Sequence, residues 1–88
     1  MTINFTFGKC KSRAGYSARL PTSRKLDLSR IKKALVVILE TPILLVIQEQ
    51  GLEIVVHGYG EILFKNGTPE QVGVMEKVAE RIYNIGLY

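Results

Sequence analysis

The sequence has few of the residues that mark secreted, membrane-spanning or metal-binding proteins. It holds one cysteine (Cys10), one histidine (His57) and no tryptophan. One cysteine cannot form an internal disulfide, and small secreted domains usually carry several. The longest apolar run, 34–39, is far shorter than the ~20 residues of a membrane span, and the N-terminus lacks the charged-then-apolar pattern of a signal peptide. We therefore expect a cytoplasmic protein that does not enter a membrane.

The length and composition predict one folded domain over residues 1–88. Apolar residues make up 47% of the 88 residues and charged residues 23%, as in ordinary globular proteins. No linker, repeat or low-complexity tract divides the chain. A domain of this size buries only about 60–65% of its unfolded surface, so we expect a thin core.

The basic residues are concentrated in the first third of the chain. Residues 1–33 contain nine lysines and arginines against the single acidic Asp27, whereas residues 34–88 contain three basic and seven acidic residues. The two parts therefore carry formal charges of +8 and −4. Such an asymmetry marks the first third as a candidate anion-binding surface.

Alternating apolar residues predict several strands. Ile3, Phe5 and Phe7 alternate with polar residues, and a second alternation over 16–20 precedes Pro21. The continuous apolar run 43–47 predicts a central strand, followed by alternating strands over 52–56 and 62–64.

Two helices are predicted between and after these strands. Asp27 is a good N-cap, and Leu28, Ile31, Leu35 and Leu39 then recur on one helical face, which favours a helix ending by Glu40 before Pro42. The β-branched run 36–38 could instead start a strand. The second helix is predicted from Thr68, with Pro69 at its first position and Gln71 completing a capping box. We expect an α+β fold, a four- to five-stranded antiparallel sheet with two helices on one face, in the order β-(β)-α-β-β-β-α.

No catalytic or metal site is predicted, and we expect neither an enzyme nor a cofactor. His57 stands alone, without the ligand spacing of a metal site or a nucleophile to activate. Neighbouring basic residues would favour the thiolate of Cys10. The alternative of a small enzyme or a ligand carrier is supported by these two residues alone.

The leading functional hypothesis is a small basic module that binds or accompanies nucleic acid. Phosphate-binding surfaces need several cations with hydroxyl donors nearby, and the first third has both. The candidate nucleic-acid-binding residues are Lys9, Lys11, Arg13, Arg19, Arg24 and Lys25. The plainer alternative is that these charges form a solvated surface.

The rival hypothesis is a protein-interaction or assembly subunit. Val55 and Leu63 are expected to point away from the helix-covered face of the sheet, and the 43–47 strand is apolar on both sides. An apolar strip on the other face needs a cover of its own, and a second copy of the chain would supply it. We expect a homodimer or a complex with a protein partner, with Leu45, Val55 and Leu63 as candidate interface residues.

Lys25-Leu-Asp-Leu28 opens the first predicted helix, and Gly67-Thr-Pro-Glu-Gln71 opens the last. These two motifs resemble those of one repeat of the TATA-binding protein family. The resemblance covers about Ile3 to Gly86 and implies a curved antiparallel sheet that two chains could join into a saddle. It also implies base contacts by Asn4. The DNA-kinking phenylalanine pairs of that family have no counterpart at 44–46 or 52–54, so the resemblance concerns the fold.

Overall fold

The computed structural model describes residues 4–9, 15–22 and 24–87. Within them the chain forms six strands and two α-helices. The strands are β1 (Thr6–Lys9), β2 (Tyr16–Arg19), β3 (Val36–Glu40), β4 (Leu44–Glu49), β5 (Leu52–His57) and β6 (Ile62–Phe64); the helices are α1 (Leu28–Ala34) and α2 (Val72–Gly86). A single 3₁₀ turn, Pro69–Gln71, leads into α2.

All six strands form one antiparallel sheet in the order β1-β2-β6-β5-β4-β3. The α+β character, the antiparallel sheet and the two helices agree with the sequence-based expectation. The number of strands does not, because the sheet has six strands rather than four or five.

The additional strand is β3, which replaces the end of the predicted first helix. α1 ends at Ala34, and its last helical hydrogen bond runs from the Leu35 N–H to the Ile31 carbonyl at 3.0 Å. The β-branched residues that follow favour an extended chain, and a turn closed by the Thr41 N–H on the Leu44 carbonyl pairs β3 with β4. Leu39 therefore lies on an edge strand and is 54% exposed, instead of packing in the core.

Both helices cover the same face of the sheet. Side chains from the inner sides of β2, β4, β5 and β6 pack against α1 and α2, and the buried residues form one hydrophobic cluster. The largest fully buried side chains of that cluster are Tyr83, Phe64, Ile31, Leu45, Ile47, Leu52, Ile54, Ile62, Met75, Ile82 and Val56. Because side chains alternate along a strand, every second residue of the same strands points to the opposite face.

The start of α1 is joined to the end of α2. The Asp27 N–H donates to the Gly86 carbonyl at 2.9 Å, and a Cβ atom at Gly86 would lie 2.9 Å from Ile31 Cδ1. Glycine at this position therefore allows the helices to approach closely. At the other end of α2, the Thr68 N–H donates to the Gln71 side chain at 3.1 Å, as the capping-box pattern predicts.

Candidate functional site

The sheet face that neither helix covers, called the open face below, carries a continuous apolar row. Leu39 is paired with Val46, Val46 with Val55, and Val55 with Leu63, across four neighbouring strands. Leu39 is exposed, and the other three residues are half-buried. We call these four residues the apolar row.

Ion pairs flank the apolar row on both sides. On one side Lys65 Nζ lies 3.3 Å from Glu53 Oε2, and on the other Arg19 Nε lies 2.9 Å from Glu61 Oε2. Glu53 lies two residues before Val55, and Glu61 and Lys65 lie two residues before and after Leu63. Because side chains alternate along a strand, these three charged side chains lie on the open face with the Val55–Leu63 pair. Each flank thus holds one positive and one negative charge.

Two of the three predicted interface residues lie in this row, and the third does not. Val55 and Leu63 point to the open face, whereas Leu45 points to the helices and is only 1% exposed. Leu45 is therefore a core residue, and its assignment to the interface was wrong. The row also contains Leu39, which was expected on the face of the first helix, and Val46, and neither was predicted as an interface residue. The β-branched run at 36–38 was the one signal that indicated a strand leading to Leu39.

The predicted basic surface is divided in the structure. Lys9 is paired with Tyr16 at one end of the β1–β2 hairpin, while Arg19 is paired with Thr6 at the other end. Arg19 is neutralised by Glu61. Lys11 and Arg13 lie outside the described residues. The four candidate cations that the structure describes, Lys9, Arg19, Arg24 and Lys25, therefore do not form one continuous surface.

Arg24 and Lys25 line an open groove of about 830 Å³ at the end of the sheet that also holds Arg19. The groove lies between the segment leading into α1, the β3–β4 turn and the turn after β5, and we call it the groove below. Pro42, Ile43 and Tyr59 supply apolar walls. Both cationic side chains are exposed and form no ion pair or hydrogen bond with the described residues.

Tyr59 stands between the groove and a smaller depression that contains Arg19 and Glu61. Its hydroxyl donates to Glu61 Oε1 at 2.7 Å, and its ring stacks on His57 with centroids 5.1 Å apart. This hydrogen bond lowers the pKa of Glu61, helped by the Arg19 charge, and raises the pKa of Tyr59. Tyr59 was not singled out from the sequence, because its exposure depends on the folded turn.

Cys10 and His57 are the two residues considered for chemistry. Cys10 lies outside the described residues, and the one described ring contact of His57 is with Tyr59. In the described ranges, no three His, Cys, Asp or Glu side chains come together as metal ligands would. Nor does any helix in that part of the chain have the length and hydrophobicity needed to cross a bilayer.

Comparisons with protein-family models, with curated proteins and with solved structures gave no match. The open face and the groove are therefore the candidate functional surfaces of the protein.

Proposed function

We propose that the chain is a non-enzymatic interaction module that forms a homodimer through its open face. The apolar row carries this proposal, because it places four aliphatic side chains side by side where neither helix covers them. Monomeric proteins rarely keep large contiguous apolar patches in contact with water, and such patches rimmed by polar residues mark interaction sites.

The charges on the open face fit a second copy of the same face. In a two-fold dimer each patch meets itself, so the patch must be complementary to itself. The Lys65–Glu53 and Arg19–Glu61 pairs give both flanks both signs of charge, so either flank can face the other without net repulsion. Packed sheets lie about 10 Å apart with interdigitating side chains, which suits a row of leucine and valine. A polyanion, in contrast, would meet two carboxylates and no excess of positive charge.

The oligomeric state and its dependence on Val55 test the proposal. We expect light scattering after size exclusion to give a mass that rises from monomer to dimer as concentration increases. Val55→Glu buries a charge at the centre of the contact in both copies and should leave a folded monomer. Lys77→Glu changes the charge of an exposed residue on α2, far from the open face, and serves as the matched control. A wild-type protein that stays monomeric near millimolar concentration would contradict the proposal.

The open edge of β3 offers a different mode of pairing, which the same measurement distinguishes. Among the described residues β3 has a neighbouring strand on one side only, and Val36 and Ile38 are 63% and 54% exposed. Exposed apolar edge strands can pair with another chain. Ile38 lies at a bulge, where the pairing with β4 shifts register. A dimer that Ile38→Lys abolishes and Val55→Glu preserves would be an edge-paired dimer and would contradict pairing through the open face.

A second candidate function is binding of nucleic acid by the basic N-terminal third. It is supported by Lys9, Arg24 and Lys25, whose cationic side chains have no partner among the described residues. The test is a fluorescence-anisotropy titration with labelled duplex DNA, single-stranded DNA and RNA at low and high salt. Phosphate contacts release counterions, so affinity should fall steeply as salt increases. No binding at low salt would leave these cations as a solvated surface.

The likeness to one repeat of the TATA-binding protein family stays a proposal about the fold. It is supported by the order from β2 to α2, in which a strand, a helix, consecutive antiparallel strands and a long C-terminal helix follow one another. Glu53 and Glu61 on the open face argue against DNA binding on that face.

A further inference from the structure

We propose that the groove holds one unpaired base of a single-stranded nucleic acid, with Tyr59 stacked on the base and Arg24 and Lys25 on its phosphate. This inference rests on the second candidate function and is independent of the dimer. It narrows the partner from nucleic acid in general to single strands, and it adds Tyr59 to the binding residues.

The two cations are held close to Tyr59 by the backbone. The Arg24 N–H donates to the Tyr59 carbonyl at 3.2 Å, and the Leu26 N–H donates to the Gly58 carbonyl at 2.8 Å. The segment carrying both cations thus runs alongside the turn carrying the aromatic ring. Asp27, the acidic residue of the groove, caps α1 by accepting from the Arg30 N–H at 3.2 Å. The unpaired charge that the groove offers a ligand is therefore positive.

The apolar walls of the groove are exposed to an unusual degree. Ile43 is 71% exposed and Tyr59 54%, and in the part of the chain that the structure describes they are two of five exposed large apolar side chains. The other three, Val36, Ile38 and Leu39, lie on β3. Exposed aliphatic and aromatic side chains beside cations are what single-strand-binding grooves combine, since each base has an apolar face and each phosphate a charge. A volume of about 830 Å³ is also in the range of small-ligand sites.

Tyr59 is held in place before any ligand binds. Its hydroxyl donates to Glu61, and its ring is stacked on His57. The carbonyl of the next residue, Gly60, accepts a hydrogen bond from the buried Tyr83 hydroxyl at 2.7 Å. Little conformational freedom is then lost when a base stacks on the ring, and this lowers the cost of binding.

The combination of an aromatic ring with two cations favours unpaired bases over a duplex or a peptide. In a duplex the base faces are already stacked on their neighbours, so a base would first have to leave the helix. An acidic peptide could reach the two cations, but it would give the aromatic ring no planar partner. Single-stranded RNA or DNA supplies both groups in one repeating unit.

The test uses anisotropy with short labelled single-stranded oligonucleotides, the matching duplex, and heparin as a polyanion without bases. Tyr59→Leu should weaken single-strand binding about tenfold, within the range of one lost stacking contact, and leave heparin binding unchanged. Tyr59→Phe keeps the ring and should retain affinity. The double variant Arg24→Gln/Lys25→Gln removes both cations from one phosphate, so it should weaken binding to all three polyanions and reduce the single-strand salt slope by about 0.7, whereas Lys77→Gln should change neither.

Other results would overturn the base site. One is an unchanged affinity of Tyr59→Leu for single strands, and another is tighter binding of the wild type to the duplex than to single strands. The third is that polyglutamate displaces the labelled single strand as strongly as an unlabelled oligonucleotide does. If heparin and single strands still bind to Tyr59→Leu with wild-type affinity, the base site fails and the nucleic-acid candidate stands. If no polyanion binds to the wild type at low salt, both fail.

Discussion

The Tyr83 hydroxyl donates a hydrogen bond to the Gly60 carbonyl at 2.7 Å inside the protein. Tyr83 lies on α2 and is fully buried, and this burial raises its pKa well above the ordinary value, so the phenol stays protonated and able to donate. The hydrogen bond connects α2 to the turn that carries Tyr59. This hydrogen bond therefore helps the core to position the groove.

Tyr83→Phe should lower the free energy of unfolding by about 1–2 kcal/mol, because it leaves the buried Gly60 carbonyl without this donor. Chemical denaturation monitored by circular dichroism measures the change. Tyr16→Phe is the matched control, since the Tyr16 hydroxyl makes no hydrogen bond with the described residues and its loss should cost under about 0.5 kcal/mol. Equal effects of the two variants would show that the Tyr83–Gly60 bond does not stabilise the turn.

Gly60→Ala should also destabilise the turn, for a backbone reason. Gly60 has a φ of +113°, and a Cβ atom there would lie 3.0 Å from the Arg24 carbonyl oxygen. We expect a loss of more than about 1 kcal/mol in the free energy of unfolding. Gly73 lies in α2 with open space around it, so Gly73→Ala should instead stabilise the protein by about 0.5–1 kcal/mol. Thermal unfolding of the two variants should shift in opposite directions.

Glu61 should make stability depend on pH in the acid range. The Tyr59 hydrogen bond and the Arg19 charge lower the pKa of Glu61 below its usual value near 4.5 in the folded protein. The unfolded chain then takes up the proton first, so this stabilisation is fully present above about pH 4.5 and is lost as pH falls through the folded pKa. Glu61→Gln should have a shallower loss of stability below that pH. Identical slopes for wild type and variant in urea titrations would contradict the assignment.

Leu45 and Val55 should respond differently to truncation, although they lie on neighbouring strands. Leu45→Ala removes a core side chain and should cost about 2–5 kcal/mol. Val55→Ala removes a half-buried side chain from the open face, so its cost in a dilute, monomeric sample should be smaller. Denaturation at low concentration gives both values. A Val55→Ala cost as large as that of Leu45→Ala would place Val55 in the core.

The strongest periodic patterns in the sequence predicted their elements well. The alternation of Leu52, Ile54 and Val56 predicted the inward side of β5, and the signals at Thr68 and Gln71 predicted the start of the last helix. β3 was mispredicted because Leu35 and Leu39 continue a helical spacing that begins at Leu28. The choice between helix and strand there depends on pairing with β4, which is a tertiary contact.

The sequence predicted the open face in part and the groove hardly at all. Alternation placed Val55 and Leu63 correctly, but a run that is apolar at every position, such as 43–47, does not show which side chains point inward, so Leu45 was misassigned. The groove brings together Arg24, Ile43 and Tyr59 from three separate segments. No local sequence pattern predicts that these three segments lie close together. The unpaired charge of Arg24 and the exposure of Tyr59 likewise depend on the folded structure.

The central claim, that a second copy covers the open face, is tested most directly by methyl NMR with a soluble paramagnetic agent. As protein concentration rises, the methyl signals of Val55 and Leu63 should become protected from the agent. Those of Ile43, which is 71% exposed and lies in the groove, should stay attenuated and serve as the internal reference. Unchanged attenuation of Val55 and Leu63 across the concentration range, or protection of Ile43 in their place, would contradict the account.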